Sequence, residues 1–139
     1  MLFRSANQIN AVSAAYVMRA LAISYATDVY GDLPYSEAFK AELGITQPKY
    51  DKQQDVMLKL LQELDANIPK FDATKIAMNA DLFYNGDVTK WKKLGYSLML
   101  RIAMRLTKAD AATAKTYAEK AFAGGTMADR KSTRLNSSH

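Results

Sequence analysis

Residues 87–106 read DVTKWKKLGYSLMLRIAMRL, and their periodicity decides the fold. Trp91, Leu94, Leu98, Ile102 and Leu106 recur three and four residues apart, the spacing that gathers side chains on one face of an α-helix. Lys90, Lys93, Ser97, Arg101, Arg105 and Lys108 recur in the same way on another face. Asp87 precedes the first turn, where a carboxylate accepts hydrogen bonds from unpaired backbone N–H groups and favours the positive end of the helix dipole. Gly86 supplies the turn before it. The expectation is a core helix with Trp91 buried and a basic face in solvent.

The same reading extends outward along the chain. After a turn at 107–110, residues 110–123 form a helix of small residues with Tyr117 and Phe122, stopped by Gly124 and Gly125. Upstream, residues 81–84 suggest a helical turn, and 70–80 a polar connection anchored by Phe71, Ile76 and Met78. A second long helix opens at Asp51, carries the stripe Val56, Leu60, Leu61, Leu64 and Ile68, and ends at Pro69. Asp51 and Asp55 read as partners of its dipole. Ser36 is expected to cap a short helical turn through Phe39 and Leu43. Residues 5–27 form the first helix, rich in alanine (Ala11, Ala14, Ala15, Ala20, Ala22, Ala26), which lets a neighbouring helix approach closely. Gly31 suits a left-handed cap after it, and Pro34 prevents continuation. No alternating stretch of strand length stands out. The fold class expected is all-α, with antiparallel helix pairs joined by loops.

A repeat signal accompanies this pattern. Trp91-x-x-Leu94-Gly95 matches the opening of the tetratricopeptide repeat, and Ala118-x3-Phe122 its later A-x3-F. The two lie too far apart for the usual unit of about 34 residues. The pair is therefore tetratricopeptide-like and not a regular repeat.

Composition excludes several chemistries. The chain of 139 residues has no cysteine, hence no disulfide and no thiolate site, and its one histidine is His139. Residues 129–139, DRKSTRLNSSH, resemble the in-frame translation of a sequencing-library adapter and are set aside as unstructured. They hold Arg130, Lys131, Arg134 and Asp129, so without them the formal charge falls from +5 to +3. Residues 1–128 then contain neither His nor Cys, which removes most nucleophile–base pairs and transition-metal sites. No phosphate-binding glycine loop, serine elbow or metal-ligand spacing is present. No cofactor is expected. A net +3 over 128 residues is a weak footprint for nucleic acid. No unbroken run of eighteen apolar residues exists, and residues 2–5 do not form a signal core. Residues 1–128 are expected to be part of a longer helical domain, whose isolated piece would be marginally stable or prone to associate.

Two loops share an order of aromatic, glycine and acid: Val29-Tyr30-Gly31-Asp32 and Phe83-Tyr84-Asn85-Gly86-Asp87. Turn chemistry explains both, because glycine permits a positive φ and aspartate binds nearby amides. A ligand surface is the functional alternative. A tyrosine ring stacks on the C–H face of a sugar, and a carboxylate accepts its hydroxyl hydrogen bonds. Tyr30, Asp32, Tyr35 and Tyr84 are the ligand-binding candidates, and Phe39, Tyr50 and Phe71 are further loop aromatics. Gly31, Pro34, Gly86, Asp87 and Trp91 are read as structural. Arg101 and Arg105, one turn apart, are placed to pair with the acids of the two loops or of a neighbouring helix.

Four segments in order resemble the SusD/RagB-type outer-membrane lipoproteins. Residues 30–38, YGDLPYSEA, are similar to that family's YGD-PYSEA, and Pro48-x-Tyr50-Asp51 to its P-x-YD. Asp81-x-x-Tyr84-x-Gly86-Asp87-x-x-x-Trp91 is similar to its D-x-x-Y-x-GD and following Trp. Residues 97–106 are similar to its SL-x-LR-x-A-x-RL helix; the family usually has Ala-Asn just before, where this chain has Gly95-Tyr96. The resemblance covers roughly residues 8–125. It implies a helical, tetratricopeptide-like scaffold in a lipid-anchored protein on the outer surface of Bacteroidetes-type cells. It also implies non-catalytic capture of a nutrient, commonly a glycan, beside a TonB-dependent SusC-like transporter. It carries over no binding residue by motif. A tetratricopeptide-like protein-interaction module is the alternative.

Overall fold

Asp87 caps the central helix as its position foretells: its carboxylate accepts from the Thr89 and Lys90 amides at 2.9 and 3.1 Å. The structure is a computed structural model and describes residues 8–38, 40–75, 78 and 80–126. Its helices are α1 (Ile9–Tyr30), α2 (Gln53–Asn67), α3 (Val88–Arg105) and α4 (Ala111–Ala123). Short 3-10 turns follow α2 at Ile68–Lys70 and α3 at Leu106–Lys108, and another stands at Ala41–Leu43. No strand occurs among the described residues; Leu33 and Asp51 form an isolated antiparallel bridge. The fold is all-α.

Two antiparallel pairs make the body. Arg19 of α1 meets Glu63 of α2, while Thr27 near the end of α1 meets Gln53 at the start of α2. Tyr96 of α3 covers Gly124 just past α4. α1 and α3 run parallel, since Arg105 near the end of α3 binds Asp28 near the end of α1 at 2.7 Å. The α2 stripe Val56, Leu60, Leu61, Leu64 and Ile68 is buried throughout, and Trp91, Leu98, Ile102 and Leu106 of the second pair meet it. Leu94 is only partly buried against this core.

Other details depart from the sequence pattern. The expected start of α1 at Ser5 lies outside the described residues, as does Ile76; α1 continues to Tyr30 instead of ending at Thr27. Gly31 has the positive φ expected (75°), but its ψ of −119° is not that of a left-handed cap. α1 is long and apolar enough to cross a membrane on length and composition, although it has no unbroken apolar run. In this fold Ala14, Val17 and Ala20 lie in the core with Asn10, Ser13, Ser24 and Thr27 buried beside them, while Ala22 faces outward. Residues 81–84 make the single helical turn expected, closed by the Asn85 amide donating to the Asp81 carbonyl at 3.2 Å. Phe122, aligned with the repeat pattern, is 81% exposed, because Ala114 and Ala121 are the α4 residues that reach the core.

The departure at Gly95-Tyr96 has a packing reason on both sides. Gly95 is buried, and a Cβ there would stand 2.8 Å from Ile68 Cγ1 and 3.4 Å from Val17 Cγ2. Its missing side chain lets α3 lie directly on the turn that ends α2. One residue on, the Tyr96 ring lies so close to Gly124 that a Cβ there would be 2.4 Å from it.

Candidate functional site

The loop 31–52 between α1 and α2 is closed by three carboxylates. Asp32 accepts from the Gln53 amide at 2.9 Å, and so caps α2 from across the loop while Lys52 makes no side-chain cap. Asp51 accepts from the amides of Tyr35 (3.1 Å) and Ser36 (2.6 Å) and from the Ser36 hydroxyl (2.9 Å). Glu37 accepts from the Lys49 amide at 2.9 Å. Asp51 thus clamps the loop, while Asp55 lies in the first turn of α2. Ser36 caps no helix, since its hydroxyl and amide both go to Asp51; Phe39 lies outside the described residues. The Ser36 amide is the main reason the Asp51 carboxyl is held below its ordinary range.

Tyr35 straps this loop onto the helix pair. Its phenol donates to Glu63 at 2.6 Å, and Glu63 also pairs with Arg19. The Arg19 guanidinium stands 4.6 Å from the Tyr16 ring centre and 5.8 Å from that of Tyr35. Burial, then the carboxylate partner, push the Tyr35 hydroxyl well above the usual tyrosine range, so it stays a neutral donor. Beneath the strap runs a groove of about 780 Å³, walled by Ile23, Leu33, Pro34, Ala38, Pro48 and Val56, with Asp51, Lys59 and Glu63 at its polar edge. A groove of this size, mainly apolar with a few polar groups, suits a small organic ligand.

Tyr84 belongs to a different assembly. Asp81 gathers four donors: the Phe83 and Tyr84 amides on one oxygen (2.9 and 3.3 Å), and the Gly86 amide (3.0 Å) and Trp91 indole N–H (2.6 Å) on the other. Burial opposes the Asp81 charge, but these hydrogen bonds outweigh it and hold the carboxyl below its usual range. Tyr84 and Phe83 meet Trp91 edge-on at 5.4 and 6.0 Å, and Phe71 stacks on it at 6.4 Å. Trp91 is 3% exposed. Gly86 takes a φ of 80°, with Met78 backbone atoms 3.4 Å from where a Cβ would be. Asp81 carries most of this loop, yet in sequence it stands out only as the first letter of the Asp-x-x-Tyr-x-Gly-Asp pattern. An aspartate shortly before an Asn-Gly turn, here Asn85-Gly86, is the local signal that marks it.

The four ligand candidates therefore do not converge. Tyr30 (77% exposed), Asp32 and Tyr35 surround the loop after α1, whereas Tyr84 packs on Trp91 near the start of α3. The fourteen residues from Trp91 to Arg105 rise roughly 21 Å along the helix, and it is Arg105 that lies near the Tyr30 end through Asp28. Arg101 and Arg105 both pair with Asp28, at 3.6 and 2.7 Å, and with neither loop acid. Arg101 also lies over the Tyr25 ring at 4.1 Å. Asp32 and Asp87, the acids of the two similar loops, each cap the helix that follows or lies beside them.

A family model described as starch-binding and associating with the outer membrane matches residues 2–134. The chain belongs to the SusD-like family. Among solved structures it is similar to a chitin-binding protein, with 38% identity and a TM-score of 0.82 over 92% of this chain and 27% of that one. It is likewise similar to a SusD homologue from Bacteroides fragilis NCTC 9343, with 30% identity and a TM-score of 0.77 over 90% of this chain and 27% of that one. A chitin-binding SusD homologue from Flavobacterium johnsoniae matches at 29% identity and a TM-score of 0.73, over 83% of this chain and 25% of that one. No curated protein matches. The SusD-like chain thus spans about a quarter of the length of these structures. The family description is of binding at a membrane, not of catalysis.

Proposed function

We propose that this SusD-like chain is scaffold and part of the binding surface of a non-catalytic, glycan-capturing protein on the outer face of the outer membrane. The observation that carries the reading is the family match over residues 2–134, together with two chitin-binding neighbours. The whole protein is held by a lipid anchor and presents oligosaccharide to a TonB-dependent SusC-like transporter. Residues 1–128 act as one helical unit, with 129–139 outside it. No cofactor, metal or nucleic acid takes part.

Within the chain, the surface that suits a glycan is the loop after α1. Tyr30 offers an exposed ring at its start, and Asp32 a carboxylate with one oxygen on the Gln53 amide. Tyr35 contributes its ring; its hydroxyl is committed to Glu63. Tyr84 contributes by shaping the Trp91 end. The test is calorimetric titration of the full-length protein with chitin and starch oligosaccharides, with Tyr30→Ala alongside. Binding weakened about tenfold by Tyr30→Ala, on the scale of one lost stacking contact, supports the loop. Absence of binding to either glycan, with no co-purifying transporter, overturns the reading. It would leave the tetratricopeptide-like interaction module, which the exposed Phe122 and Tyr25 faces of the helix pairs favour.

A further inference from the structure

We draw no further inference here: the strongest candidate, the apolar groove between α1, α2 and the 33–38 loop, carries none because nothing in the structure shows what covers it.

Discussion

Replacing Gly95 by alanine should destabilise this protein. Helix propensity alone argues the reverse, since Gly→Ala in a helix interior stabilises by about 1 kcal/mol. Steric overlap in the core opposes that gain and outweighs it. The new Cβ would stand 2.8 and 2.9 Å from Ile68 Cγ1 and Cδ1 and 3.4 Å from Val17 Cγ2. Carbon atoms rest about 3.5–4.0 Å apart, so the first two contacts overlap by more than half an ångström. Ile68 and Val17 are both fully buried, and Cγ1 lies next to the Ile68 backbone, where little rotation is available. Overpacking of this kind costs about 1–3 kcal/mol. The net expectation is a loss of about 1 kcal/mol, or about 4 °C in Tm for a domain of this size. Urea and thermal unfolding followed by Trp91 fluorescence would measure it. The decisive comparison is a double-mutant cycle with Ile68→Ala. Ile68→Ala alone should cost about 2–5 kcal/mol, but in its background Gly95→Ala should turn from destabilising to neutral or stabilising. If Gly95→Ala stabilises the parent protein by the whole helix-propensity difference, the close approach of α3 to Ile68 is wrong.

Asp81→Ala leaves the Trp91 indole and three amides without their acceptor; it should cost about 1–3 kcal/mol and red-shift the fluorescence of the one tryptophan. An unchanged spectrum and midpoint would mean that Asp81 does not organise the loop. Tyr35→Phe keeps the ring but removes the hydrogen bond to Glu63; stability should fall by about 0.5–1.5 kcal/mol, with glycan affinity in the full-length protein nearly unchanged. Tyr30→Ala should do the converse, shifting stability by no more than about 0.5 kcal/mol while weakening glycan binding. Finally, Asp51, Asp72, Asp81, Asp87 and Asp110 all have carboxyl groups held below the ordinary range in the folded protein. Their stabilisation is fully present above the unfolded aspartate pKa of about 3.9 and is lost as pH falls through the lower folded values. The urea midpoint should therefore drop between pH 6 and pH 3, and a midpoint that rises over that interval would contradict the hydrogen bonds assigned to these groups.

What could be read from the chain alone was local. The period of Trp91, Leu98, Ile102 and Leu106 is a property of neighbouring residues, and so is the capping of α3 by Asp87. Helix number, the buried α2 stripe and the all-α class follow from such patterns, and four short segments in order sufficed for the family. The tertiary structure decided what depends on residues distant in sequence. Asp32 caps a helix twenty-one residues further on, and Arg105 selects Asp28 across seventy-seven. Tyr35 is a strap because Glu63 lies within hydrogen-bond reach, and Asp51 is a clamp because Leu33 pairs with it across the loop. Phe122 faces outward although its spacing fits a buried repeat position, since which side of α4 meets α3 is set by the packing of the pair. A periodic pattern tells which residues share a face. Which acid, ring or helix meets that face is a matter of three-dimensional approach, as between Gly95 and Ile68.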